Sequence, residues 1–285
     1  MRDPFEERYF PLKRGFLHRS KRYRRCRSLP VKRTREAGKL LTLTQITMPL
    51  PENLPAGKKL LFISDWHWHD SERNHRQLQE LIEYTAKNPP DILLLGGDLC
   101  DDAEYLDSLP VLLKKLSAAA PAVVAVNGNW ETGKRWLDED YFFQLYRRYG
   151  ITLLENDSIT VDGFRIFGLP DISSVNFRYL NVPEKDETKT DILMTHSPDG
   201  VISADHDGFL RHFQLAFCGH THGGQVRIPL IGAIYCPSFY SVKFVSGIFE
   251  RRGLKMKMIV SSGIGEHAHT RRFCCPPEIV EVVFK

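Results

Sequence analysis

The chain has 285 residues, 42% of them hydrophobic and 26% charged, with six cysteines and a formal net charge of +4. That is enough apolar material for a large core, which argues against disorder over most of the chain; no run of 18 or more apolar residues is present to cross a bilayer as a helix. The cysteines (Cys26, Cys100, Cys218, Cys236, Cys274, Cys275) form no Cys-x-x-Cys pair and no framework spacing, usage that fits a reducing cytoplasm and an unexported protein.

The charge is unevenly placed. Residues 1–35 carry 13 Lys/Arg against 3 Asp/Glu, whereas the remainder carries 26 against 32. Residues 1–38 therefore form a basic arm studded with Phe5, Tyr9, Phe10, Phe16 and Tyr23, and 39–285 form the expected catalytic domain. The arm has three readings: a solvated tail, a patch for an anionic membrane surface, and a nucleic-acid arm. The aromatics, which sit well at an interface, give the membrane reading, a peripheral place on the inner face of the cell membrane, its physical warrant.

Leu40 to Thr47 alternates apolar and polar residues and predicts a half-exposed strand. Four apolar runs follow, each ending in a polar residue: Leu60–Ile63 before Asp65 and His67, Ile92–Leu95 before Asp98, Ala122–Val126 before Asn129, and Ile192–Met194 before His196. Helical spacing over Arg76–Lys87, Tyr105–Ala118 and Trp136–Tyr149 separates the first strands, the order that builds an α/β sheet. Asp162-Gly163 between two alternating runs predicts a hairpin. Short strands at Gln225–Ile228, Lys257–Val260 and Glu278–Phe284 predict a second sheet packed on the first.

A fifth apolar run, Leu215–Cys218, leads into Gly219-His220-Thr221-His222-Gly223-Gly224-Gln225. Strands buried on both faces gather their ligands beyond their carboxyl ends. Asp65, His67, Asp98, Asn129, His196, His220 and His222 are thereby directed to one place, a donor set suited to metal.

This order of motifs resembles the calcineurin-like metallophosphoesterases, from about Leu60 to the C-terminus. Gly96-Gly97-Asp98-Leu99, the Gly219–Gln225 segment, Ser261-Ser262-Gly263-Ile264-Gly265 and Pro276-Pro277-Glu278-Ile279 further resemble a bacterial, membrane-associated subgroup of phosphodiesterases. The resemblance implies two stacked mixed β-sheets flanked by helices, a four-layer αββα sandwich. It also implies two divalent ions, one held by Asp65, His67, Asp98 and His222 and the other by Asp98, Asn129, His196 and His220, with Asp98 bridging. Mixed imidazole, carboxylate and amide ligation leaves Mn, Fe or Zn, with Mn favoured. Two such ions can lower the pKa of a water and hold a phosphoryl group between them. Asp98, Asn129 and His196 are accordingly the expected catalytic residues.

The chain departs from the family at Gly128-Asn129-Trp130-Glu131, where most relatives carry His after the Asn. Trp130 cannot supply an acid proton, which disfavours expulsion of a basic alkoxide. The expected substrate is then a pyrophosphate with a good leaving group, such as UDP-2,3-diacylglucosamine in lipid A biosynthesis, whose hydrolases belong to this superfamily. Alternatively, Trp130 is a packing residue whose role His69, His267 or His269 has assumed, or the mark of a crippled enzyme. Expected substrate contacts are Trp130, Arg178, Tyr240, Arg271 and Arg272, with lipid contacts from the 171–187 insert and the 237–249 segment. Rival classes are a general phosphodiesterase or nuclease and a metal-free scaffold; the body shows no nucleic-acid module, and a scaffold should have lost ligands.

Overall fold

The computed structural model describes Tyr23 and residues 26–35, 37–133, 140–171, 188–238, 242–266 and 270–285. Most of the basic arm, the 172–187 insert with Arg178, Tyr240, and both His267 and His269 lie outside the described residues. Among those described, no helix is long and apolar enough to cross a membrane.

Two short strands open the fold, β1 (Arg27–Leu29) and β2 (Lys32–Thr34), followed by β3 (Thr42–Met48) and β4 (Lys59–Ile63). Next come α1 (Glu72–Lys87), β5 (Ile92–Leu95), α2 (Leu109–Ser117), β6 (Ala122–Ala125), α3 (Asn129–Thr132), α4 (Tyr141–Arg148) and β7 (Thr152–Leu153). The second half contributes β8 (Asp157–Val161), β9 (Phe164–Leu169), β10 (Thr190–Thr195), α5 (Pro198–Ser203) and β11 (Leu215–Cys218). It closes with β12 (Arg227–Ile228), β13 (Gly232–Ala233), β14 (Gly247–Glu250), β15 (Lys257–Val260) and β16 (Glu278–Phe284).

Two seven-stranded mixed sheets result, ordered β2-β3-β16-β4-β5-β6-β7 and β1-β14-β15-β11-β10-β9-β8. Phe62, Leu94, Val124, Ile192, Met194, Phe217 and Val282 fill the space between them, with the Phe62 and Phe217 rings 5.2 Å apart. Leu81, Leu112, Leu116 and Tyr146 cover the outer face of the first sheet, while Val201, Ile202 and Phe209 cover that of the second. Each strand buried on both faces is a continuous apolar run because neither face meets water. The layers are helix, sheet, sheet, helix, as the resemblance implied.

Several local expectations are corrected. Helix α1 begins four residues before the predicted Arg76, because the Ser71 hydroxyl accepts the Asn74 N–H (3.2 Å) and Glu72 complements the helix N-terminus. The predicted Tyr105–Ala118 helix is a 3₁₀ turn at Ala103–Tyr105 and then α2, which starts afresh with Pro110 in its first turn. Strand β3 is mostly buried rather than half-exposed, since β2 and β16 flank it and its Thr44 hydroxyl donates to buried Glu278. Strand β16 belongs to the first sheet, between β3 and β4, and not to the second. Residues 27–34, placed by sequence in the arm, edge both sheets: β1 pairs with β14 and β2 with β3. The Asp162-Gly163 hairpin is present, with Val161 opposite Phe164 and both turn residues at positive φ.

Candidate metal centre

The seven expected ligands follow the carboxyl ends of five strands: Asp65 and His67 after β4, Asp98 after β5, Asn129 after β6, His196 after β10, and His220 and His222 after β11. Five of them (Asp65, His67, Asp98, His220, His222) have φ between 46° and 70°. Left-handed backbone at a non-glycine residue costs free energy, and its concentration here reflects chains that double back so that side chains enter one cleft. The flanking glycines permit this close packing. A Cβ at Gly128 would collide with the Asp98 carboxylate, and one at Gly219 with that of Asp65.

The structure brings the side chains into two groups, Asp65 with His67 and His222, and Asp98 with His196 and His220, each with its donor atoms within 4.8 Å of one another. Asp98 stands between them, with Oδ2 3.1 Å from His196 Nε2 and 4.0 Å from His67 Nε2. Asn129 Oδ1 lies 3.1 Å from His196 Nε2.

Which imidazole nitrogens carry protons follows from their outer partners. His196 Nδ1 lies 2.8 Å from the Gly96 carbonyl and His220 Nε2 lies 3.0 Å from that of Pro237; a carbonyl only accepts, so both nitrogens donate. His67 Nδ1 donates to Asp101 Oδ2 at 2.9 Å. The remaining nitrogens of these three rings, as neutral imidazole, point lone pairs inward: His196 Nε2 and His220 Nδ1 at each other 3.1 Å apart, and His67 Nε2 at the His222 ring, 3.1 Å from its Nε2. Lone pairs converging on one another, on carboxylates and on an amide oxygen are mutually repulsive unless a cation joins them. The residues therefore fit a pair of divalent ions, with the outer hydrogen bonds orienting the rings.

The electrostatics agree. Burial alone would hold His67 and His196 neutral, yet Asp101 and Asp98 at the first, and Asp98 and Asp65 at the second, outweigh it and raise both pKa values. Burial likewise opposes ionisation of Asp98, but His196, His67 and the Trp130 N–H hold its carboxyl below the usual range. The cleft draws in positive charge.

Two functional carboxylates escaped the sequence reading. Asp101 bridges His67 and His69, reaching His69 Nε2 at 2.8 Å, and its pKa is depressed by these two partners against the cost of burial. Glu131 accepts the N–H groups of Asp98 (2.9 Å), Leu99 (2.7 Å) and Gly128 (2.8 Å), tying the β5 and β6 loops together. Burial, then Asp98, push its pKa up. The spacing Gly128-x-x-Glu131 at a helix start was the available signal for a capping carboxylate; Asp101 carried none.

The expected substrate contacts divide. The Trp130 N–H donates to Asp98 Oδ1 at 2.9 Å, and its ring stands edge-on to His67 with centroids 6.3 Å apart. Arg271 is exposed. Arg272 is corrected in role: its guanidinium donates to the carbonyls of Gly265 (2.8 Å), Ser262 (2.7 Å) and His222 (3.1 Å), so it braces the His222 loop instead of gripping phosphate. His69 is held by Asp101. Next to His222 lies a cavity of about 440 Å³ walled by Val226, Ile234, Tyr235 and Pro237.

Comparison with known proteins agrees with this arrangement. The profile of the calcineurin-like phosphoesterases matches residues 58–224, from the lysine before β4 through the two glycines that follow the His-Thr-His segment. The chain belongs to that family. It is 26% identical to phosphodiesterase YaeI of Escherichia coli K12 over 230 residues, covering 78% of this chain and 80% of that one. It is also 26% identical to an uncharacterized metallophosphoesterase, YkuE, of Bacillus subtilis over 242 residues, covering 80% and 79% respectively. A dimetal phosphatase from Danio rerio superposes with a TM-score of 0.45 at 11% identity, over 77% of this chain and 92% of that one. Family membership and the similarity to a phosphodiesterase make the chain a metal-dependent phosphoester hydrolase, and its donor set is arranged for two ions.

Proposed function

We propose that this hydrolase cleaves the phosphoanhydride of a membrane-associated nucleotide-lipid, UDP-2,3-diacylglucosamine, giving UMP and 2,3-diacylglucosamine 1-phosphate in lipid A biosynthesis. When bound, a pair of divalent ions, with Mn favoured, supplies activation of a water and neutralisation of charge on the phosphoryl oxygens. The protein's part is to orient and to withhold. Asp98 stands between the two donor groups with Asn129 beside His196, and the outer bonds of His67, His196 and His220 fix their rings.

One observation carries the substrate reading: the residue after Asn129 is Trp130, whose main-chain N–H is spent on Asp98 and whose indole has no acidic proton to give a leaving group. An alkoxide departs poorly without such a proton. A phosphate monoester, with a second pKa of about 6, departs as an anion unaided. The apolar cavity beside His222 supports an acyl-bearing substrate, and the basic arm supports an anionic surface.

The test compares purified protein with Mn²⁺ on the nucleotide-lipid pyrophosphate and on simple alkyl phosphodiesters. Anhydride turnover should dominate, and Trp130→His should raise alkyl diester turnover by about 10²-fold. Equal or faster turnover of alkyl diesters by the unaltered protein contradicts the reading and favours a general phosphodiesterase.

A further inference from the structure

Among the described residues, nine large hydrophobic side chains are exposed, and six of these fall in one place: Ile228, Leu230, Ile231, Ile234 and Tyr235 on the β12–β13 hairpin, and Phe273 packed beside it. Scattered apolar side chains need no explanation, but a cluster of this kind marks an interaction surface. The hairpin is a two-stranded sheet of its own, joined to the body by the Val226–Phe273 bridge and the Arg227 N–H donating to the Phe273 carbonyl (2.9 Å).

The tip is costly twice over. Ile231 N–H donates to the Ile228 carbonyl (3.1 Å) across Pro229 and Leu230, and Leu230 has φ of 70°. Pro followed by positive φ is the type II pattern, whose second central position favours Gly or Asn. A branched aliphatic residue there is both strained and, at 108% relative exposure, wholly in solvent. Glycine would serve the turn better than leucine.

Arg33 and Arg227 sit at the hairpin's base, both donating to the Ser246 hydroxyl (3.4 and 3.3 Å) and lining one cavity with Ile228, Leu230 and Ile231. Tyr235 and Phe273 stand on its flanks. Aliphatic tip, aromatic flanks and a guanidinium collar repeat, in order of depth, the acyl, interfacial and anionic headgroup layers of a bilayer. Ile234 and Tyr235 also wall the cavity that reaches His222, so an inserted hairpin would open that cavity onto the membrane surface.

We propose that the 227–235 hairpin is a wedge that enters an anionic bilayer, seating the metal centre at headgroup level so that a lipid-borne phosphate reaches it without leaving the membrane. The wedge deepens the proposed function and rests on that reading for its purpose.

The test is flotation of the full chain with phosphatidylethanolamine vesicles containing about a quarter phosphatidylglycerol. The unaltered protein should float. Leu230→Asp/Ile231→Asp should lower vesicle partition at least about tenfold. Leu230→Gly should also lower it while keeping or raising the melting temperature, because it relaxes the turn, so loss of binding would not be loss of fold. Failure of the unaltered protein to float, or equal flotation of the double variant, overturns the wedge. So does self-association on a sizing column that the double variant abolishes while floating unchanged, which would make the face a protein contact. No substrate is present in the assay; absent anhydride turnover with intact flotation would sink only the substrate reading.

Discussion

The two sheets contribute unlike halves to the metal centre. The first supplies every oxygen donor, Asp65, Asp98 and Asn129, with one imidazole, His67; the second supplies imidazoles alone, His196, His220 and His222. Neither half is a site by itself, because each group of donors draws from both sheets. The centre therefore exists only when the sheets are docked, and the apolar layer between them, with Phe62 against Phe217, is as much a condition of chemistry as of stability.

The most severe way to break this arrangement is at Asp98, the carboxylate between the groups. Asp98→Ala is expected to remove both ions and lower kcat/KM by at least about 10³-fold, whereas His222→Ala, at one group only, should leave about one equivalent of metal. Metal content alongside kinetics checks this; equal loss from both variants would erase the distinction between the groups.

A smaller effect is expected behind the first sheet's imidazole. Asp101→Asn keeps the shape but takes the charge from the His67 hydrogen bond, and should cost about 10–100-fold in metal affinity or activity. Titration of the metal-stripped protein measures it, and unchanged affinity would show that Asp101 does not orient the ring.

The smallest lies in the helix layer. Tyr146, in the helix layer over the first sheet, is fully buried with no hydrogen-bond partner for its hydroxyl among the described residues, and burial, then Glu131, hold its pKa well above the ordinary 10.0. The folded protein thus keeps this proton while the unfolded chain releases it above about pH 10. The stability it contributes is complete below that pH and lost as pH rises beyond it. Tyr146→Phe should flatten the fall of melting temperature between about pH 9 and pH 11, and should be neutral or slightly stabilising at pH 7. An unchanged alkaline slope would refute the assignment.

What was legible in the sequence follows from periodicity and punctuation. Strands β4, β5, β6, β10 and β11 were visible as apolar runs, and their ligands as the polar residues that end them. The sheet that β16 joins was not legible, since pairing across more than two hundred residues leaves no local trace. Nor was Asp101, whose role arises from what the folded loops bring near; Glu131 left only its spacing from Gly128, a capping signal that says nothing of the Asp98 and Leu99 N–H groups it also accepts. The hairpin at 227–235 was seen only as a short strand, because exposure of an apolar tip is a property of its surroundings and not of its composition.

The most direct measurement is the metal content of the purified protein, reconstituted with Mn²⁺ and freed of excess ion. About two equivalents per chain, falling below about one-half in Asp98→Ala, are expected if both sheets close on a pair of ions. One equivalent or fewer in the unaltered protein, unchanged by the substitution, would contradict a centre built across the joint.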